Sequence, residues 1–264
     1  MKKMILIAIL LSTLLILYSQ DESQITATEL NHEALLYAVL WHQTAAEYHA
    51  LTYQAYNLAR LRLDEDIAKN ESNPKAVIVD IDETVLNNSA FNAREIMGLT
   101  SYSEGFYNWI AEAQGTAIPG ALEFLNYADE KGYEIFYISN RSTKGLEGTI
   151  KNLLKFEFPQ ADSLHVLLKE DKISKEVRRN WIAADYEIVL LIGDNLIDFL
   201  EVFEHRSVVE RYEAVENNKA EFGNKFIVLP NPMHGEWLKT LYDFDRSISN
   251  QEKMRRILRY LRTE

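Results

Sequence analysis

The sequence predicts an α/β protein: a Rossmann-like parallel sheet with helices on both faces, preceded by N-terminal helices and interrupted by a mostly helical insertion. Three observations lead there. Five short apolar runs alternate with stretches of helical periodicity. The first run ends abruptly in closely spaced carboxylates, as happens where a buried strand opens onto a ligand crevice. Glycine and proline are sparse, at 10 and 5 of 264 residues, so neither low-complexity segments nor repeats compete with an ordinary globular reading.

Taken in order, residues 1–19 (MKKMILIAILLSTLLILYS) carry Lys2 and Lys3 and then an apolar run, the pattern of an export signal cut after Ser19. Leu17 stands where a small residue is preferred, so an uncleaved anchor is the alternative, and any membrane attachment would run through this segment. The chain has no cysteine, which excludes a thioether-linked lipid and any disulfide. Its formal charge is −12, and removing a lysine-bearing signal makes the remainder more acidic still. Such a surface disfavours polymeric nucleic acid and anionic lipid, while a small anion can still bind where positive charge is local.

Residues 20–74 form a helical region. Leu36, Val39, Leu40, Leu51, Ala55 and Leu58 recur at helical spacing without Pro or Gly, as one long helix or two, until Ser72-Asn73-Pro74 breaks the pattern. Buried strands follow at Ala76 to Val79, Tyr133 to Ser139, His165 to Leu168, Glu187 to Ile192 and Lys225 to Leu229. Helical patterns separate them at Gly120 to Lys131, Thr143 to Lys155 and Lys175 to Ala184. Residues 75–242 thus form the core. The stretch of about 86–119, rich in aromatics, is too long for a simple crossover and is expected to cover the site as a cap. Residues 243–264 read as a basic amphipathic helix.

The run Lys75 to Asn88 (KAVIVDIDETVLNN) places Asp80, Asp82 and Thr84 on alternate residues after a buried strand. Two carboxylates so spaced at a strand's carboxyl end can approach one hard cation and one phosphate. An acidic pair there can also be a mere helix cap, and Asp194 and Asp198 can equally be an acidic first turn. The six histidines are scattered, with no RHG and no metal-spaced pair, which argues against histidine phosphatases and di-metal sites.

Four pieces in order, DIDETVLNNS, ISNR, LLKEDKISK and IGDNLIDF, resemble the four motifs of the haloacid dehalogenase superfamily, and in wording the class C acid phosphatases. The resemblance spans roughly Gln43 to Trp237. It implies a phosphomonoesterase in which Asp80 is the nucleophile and Asp82 the general acid and base, an arrangement that fits an acidic pH optimum. Ser139 would hold a phosphoryl oxygen and Lys175, preferred over Lys169 and Lys172, would pair with Asp80 and the phosphate. Mg²⁺ would take Asp80, the Asp82 carbonyl and Asp194, with Asp198 as a direct or outer partner. Asn140 would bind substrate, and Asn88 and Arg141 would line the phosphate pocket or else tie down a loop. The insertion's aromatics, Tyr102, Phe106, Tyr107 and Trp109, read first as its own small core; if one stacks on an aromatic leaving group it is Trp109, more weakly Tyr212.

The expected substrates are small phosphomonoesters, nucleoside 5′-monophosphates and aromatic phosphates among them. An export signal without transit-peptide character favours a bacterial periplasm or cell surface, and a homodimer is among the expected partners. Two rivals stay open: a non-catalytic binding or surface protein on the same scaffold, and a more selective phosphatase or phosphotransferase.

Overall fold

The computed structural model describes residues 27–171 and 173–264. The export signal and Lys172 therefore lie outside the described residues. No described helix is long and apolar enough to cross a membrane.

Five parallel strands form the central sheet: β1 (Lys75–Val79), β4 (Glu134–Ser142), β5 (Val166–Lys169), β6 (Glu187–Gly193) and β7 (Phe226–Val228), in the order β5-β4-β1-β6-β7. All five residues of β1 are buried, as a central parallel strand covered on both faces demands. Alternate side chains separate two cores. Val77, Val79, Ile135, Tyr137, Leu190 and Ile192 pack on one face with the helices Ala46–Ile67, Ala121–Glu130 and Leu146–Lys155. Ala76, Ile78, Phe136, Ile138 and Leu191 pack on the other with Lys175–Ala183 and Val208–Asn217. The chain leaves β1 for β4 on one side and reaches β6 on the other, so a crevice opens at the carboxyl end of β1.

The N-terminal region is two helices, Ala27–Thr44 and Ala46–Ile67, separated at Ala45, whose backbone is extended. Its buried stripe differs from the leucine stripe expected from the sequence. Val39 and Ala55 are buried as expected, but Leu36, Leu40 and Leu51 are exposed, and the second helix instead adds Tyr48, Thr52, Tyr56, Ala59 and Leu63 to its buried face. Alanines let the helix approach closely, and Tyr56 satisfies its hydroxyl on the carbonyl of Thr84 at 2.7 Å. The C-terminal helix is also shorter than expected, Asn250–Leu258, because residues 243–249 turn first, with Asp243 and Phe244 at positive φ.

The insertion holds the helices Ser89–Ile96 and Tyr102–Ala111, and its base is an antiparallel ribbon of β2 (Leu86–Asn87) and β3 (Thr116–Ala117) that the sequence did not signal. Phe91 packs against Phe106 and Trp109 at centroid distances of 5.2 and 5.9 Å, giving the cap a core of its own. Its second helix rests on Gly148, where an added Cβ would lie 2.5 Å from the carbonyl oxygen of Ile110. That close approach is why a glycine stands there.

Candidate active site

Strand ends deliver the polar residues. Asp80 follows β1, with its N–H donating to the Ile192 carbonyl at 2.9 Å. Ser139 and Arg141 lie in β4 beside an irregularity, where the pairing with β5 jumps from Ile138–Leu167 to Ser142–Lys169. Asp194 follows β6, and Asn231 follows β7. Lys175 opens the helix Lys175–Ala183, capped by Ser174.

Around Asp80 the structure gathers charge in a buried space. Lys175 Nζ donates to Asp80 and, at 2.6 Å, to Asp198. Carboxylate oxygens of Asp80, Asp194 and Asp198 lie within 4.8 Å of one another. Asp194 accepts from Asn231 at 2.7 Å and from the Thr84 hydroxyl at 3.3 Å, while Asp198 accepts the backbone N–H of Asn195 at 2.9 Å. Gly193 permits this packing, since a Cβ there would lie 2.5 Å from Asp198.

Burial raises the Asp80 carboxyl to about 7; Lys175 opposes the rise, and Asp198 and Asp82 add to it. Burial and the charges of Asp198 and Asp80 push Asp194 well above the usual range. For Lys175, burial alone would favour the neutral amine, but Asp198 and Asp80 outweigh it and raise its pKa. One ammonium thus faces three carboxylates, and the oxygen-only donor set suits a hard divalent cation.

Asp82 faces a different shell. Arg141 grips it through Nη2 at 2.7 Å and Nε at 3.0 Å, and Arg141 Nη1 donates to Thr149 at 3.0 Å. The Asn88 amide donates to Asp82 Oδ1 at 2.8 Å and accepts the Trp109 indole N–H at 2.9 Å. Ser139 Oγ donates to Asp82 Oδ2 at 3.2 Å and accepts the Arg141 backbone N–H at 3.1 Å. Next to it, burial and the Asp82 charge raise Glu83 to about 8, although the Asn88 N–H it accepts pulls the other way.

The sequence-selected residues therefore divide. Asp80, Lys175, Asp194 and Asp198 form one cluster; Asp82, Ser139, Asn88, Arg141 and Trp109 form a second beside it. Asn140 is exposed and accepts from Arg178 at 3.1 Å. Trp109 is only 7% exposed, its ring in the cap core. Tyr212 sits exposed on the helix Val208–Asn217, and no described hydrogen bond or ring contact ties it to either cluster.

Sequence reasoning missed several supports. Arg178, fully buried, donates to the carbonyls of Ser139 at 2.6 Å and Leu167 at 2.8 Å. Arg179 donates to the carbonyl of Asp198 at 2.9 Å. Three cations on one turn of a helix that starts at a strand end were a usable signal for these. Asn231 carried a weaker one, as the polar residue after the last strand.

The family model for HAD superfamily subfamily IIIB acid phosphatases matches residues 15–237. The chain belongs to that family. As a subfamily IIIB acid phosphatase it is a phosphomonoesterase with a HAD-like α/β fold. It is similar to the class C acid phosphatase from Bacillus anthracis, with 43% identity and a TM-score of 0.85 over 89% of this chain and 99% of that one. A second structure from that organism, solved with tungstate bound, gives 42% identity and a TM-score of 0.84 over the same shares. Among curated relatives, the stem 28 kDa glycoprotein of Glycine max is 27% identical over 139 residues, which are 49% of this chain and 55% of that protein. The chain thus spans about half the length of that relative.

Proposed function

We propose that this acid phosphatase is an exported, Mg²⁺-dependent enzyme that hydrolyses small phosphomonoesters, nucleoside 5′-monophosphates among them, through an aspartyl phosphate on Asp80. The observation that carries the reading is the pairing of Asp80 with Lys175 at the crevice, two residues from a second carboxylate in a different environment. The related structure with tungstate, a phosphate-like oxyanion, supports it.

Asp80, Asp194 and the Asp82 carbonyl would hold the cation, with Asp198 beside them. When bound, it would neutralise the phosphoryl oxygens that the carboxylates otherwise repel. In the first step an Asp80 oxygen attacks phosphorus in line, and the bond from phosphorus to the ester oxygen breaks. Asp82 gives its proton to that oxygen, so a neutral alcohol leaves. In the second step water attacks the phosphorus, Asp82 takes a proton from it, and the Asp80–phosphorus bond breaks to release inorganic phosphate. Lys175 favours the ionised form of Asp80 and faces the phosphate, while Ser139 and neighbouring backbone N–H groups receive a phosphoryl oxygen.

Export rests on the lysine-flanked apolar start of the chain. A homodimer is part of the same reading. The decisive experiment measures phosphate release from AMP and p-nitrophenyl phosphate at pH 5 and 7.5, with Mg²⁺ or EDTA. Metal-dependent release that is faster at pH 5 is expected, and folded, metal-loaded protein that releases none would overturn the proposal.

A further inference from the structure

The Asp82 carboxylate is held asymmetrically, and the asymmetry originates in the cap. Its Oδ1 accepts from Asn88 at 2.8 Å and from Arg141 Nη2 at 2.7 Å, with Arg141 Nε at 3.0 Å. An oxygen with two lone pairs is then saturated by groups that can only donate. The Asn88 amide cannot turn over to offer its carbonyl instead. Trp109 Nε1–H already donates to Asn88 Oδ1 at 2.9 Å, and a flipped amide would set two donors face to face.

Asp82 Oδ2 has a different partner. It meets Arg141 Nε at 3.1 Å and the Ser139 hydroxyl at 3.2 Å. A hydroxyl can donate or accept, so Oδ2 alone has a neighbour that adapts when a proton arrives. Arg141 is itself locked, by Thr149 at 3.0 Å and by the Phe106 ring of the cap, 6.0 Å from the guanidinium carbon. The Trp109 ring is wedged against Phe91 and is buried, so its N–H cannot wander.

We propose, building on the phosphatase reading above, that Trp109, Asn88 and Arg141 are positioning residues rather than contacts to the leaving group. Trp109 fixes the Asn88 amide, Asn88 and Arg141 fix the Asp82 carboxylate, and Oδ2 is left as the atom that exchanges a proton with the departing oxygen. Through this chain the cap core governs proton delivery to the leaving group.

Leaving-group dependence separates this role from a substrate contact. A poor leaving group such as the ribose alkoxide of AMP needs its proton in the transition state, whereas p-nitrophenolate departs nearly unaided, and general acid catalysis is worth roughly 10²–10⁴-fold where it is needed. The experiment compares kcat and KM on AMP and p-nitrophenyl phosphate for wild type, Trp109→Phe, Asn88→Ala and Arg141→Lys in Mg²⁺, with melting temperatures alongside. Trp109→Phe keeps the ring packing and removes only the donor. The expected result is a fall in kcat for AMP of roughly 10- to 100-fold with a change under about 3-fold for p-nitrophenyl phosphate, and KM nearly constant.

Equal losses on both substrates, or a raised KM at unchanged kcat, would overturn the proposal and return these side chains to a structural or substrate-contact role. Asp80→Asn runs in parallel. If it is inactive while wild type turns over, the phosphatase reading stands and the variants judge the positioning alone. A wild type with no turnover on either substrate overturns both.

Discussion

Two aspartates one residue apart occupy opposite kinds of surroundings. Asp80 is 7% exposed and set among carboxylates, with Lys175 as its hydrogen-bonding cation; the Asp82 side chain is 26% exposed and wrapped by Arg141, Asn88 and Ser139. The first environment is assembled wholly by the core, from the ends of β1 and β6 and the start of the helix Lys175–Ala183. The second is shared between β4 and the cap. Two identical side chains can thereby carry different tasks, because the neighbours and not the residue type decide which charge state and orientation are favoured.

Removing the proposed nucleophile breaks the comparison most severely. Asp80→Asn should lower kcat by at least about 10⁴-fold, the scale seen when one member of a covalent catalytic unit is lost, while circular dichroism stays native. Retention of more than a tenth of wild-type turnover would remove Asp80 from its role.

Lys175→Ala tests the same side through its cation. Taking one partner from a buried pair costs about 3–5 kcal/mol, so a large drop in melting temperature should accompany a loss of turnover above about 100-fold. Nearly full turnover would hand the role to another lysine.

A third test sharpens the contrast through pH. In EDTA, Asp80 and Glu83 take up protons in the folded state, near 7 and 8, before the unfolded chain does. Their contribution to stability is therefore complete below the ordinary carboxylate range and lost as pH rises through about 7 to 8. Melting temperature in EDTA should fall between pH 6 and 8.5, and Mg²⁺ should restore it at the upper end by binding the ionised set. An EDTA melting temperature that stays flat across that window would contradict the charge crowding.

The smallest effect belongs to a control outside both clusters. Burial would depress His165, but hydrogen bonds with Asp162 and Glu134, both at 2.9 Å, outweigh it and raise its pKa. Its stabilisation is present at low pH and disappears as pH rises through the folded pKa. His165→Gln should cost under about 1 kcal/mol at pH 5.5, since solvent screens the partners, and less at pH 8. Differential scanning at the two pH values checks the sign, and kcat should not change.

Much of this was readable without coordinates. An apolar run that stops at charged residues reads as a buried strand reaching a crevice, and DIDET, ISNR, KISK and GDN each mark a strand end or the helix that follows. The parallel sheet follows from the alternation of such runs with helices. Periodicity could not say which stripe of Ala46–Ile67 faces inward, because tyrosines and alanines suit that surface as well as leucines do. Nor could it show that Arg178 pins the carbonyls of Ser139 and Leu167, since such contacts join residues distant in sequence.

The sequence by itself determined which residues carry charge at the ends of which strands, because strand and helix periods are local properties of the chain. Only the tertiary structure decided how those charges divide into two shells. The Trp109 N–H reaches Asn88 within the cap, and Arg141 of β4 reaches Asp82 beyond β1, only in the folded chain, because hydrogen bonds depend on distances of tenths of an ångström that no local pattern encodes.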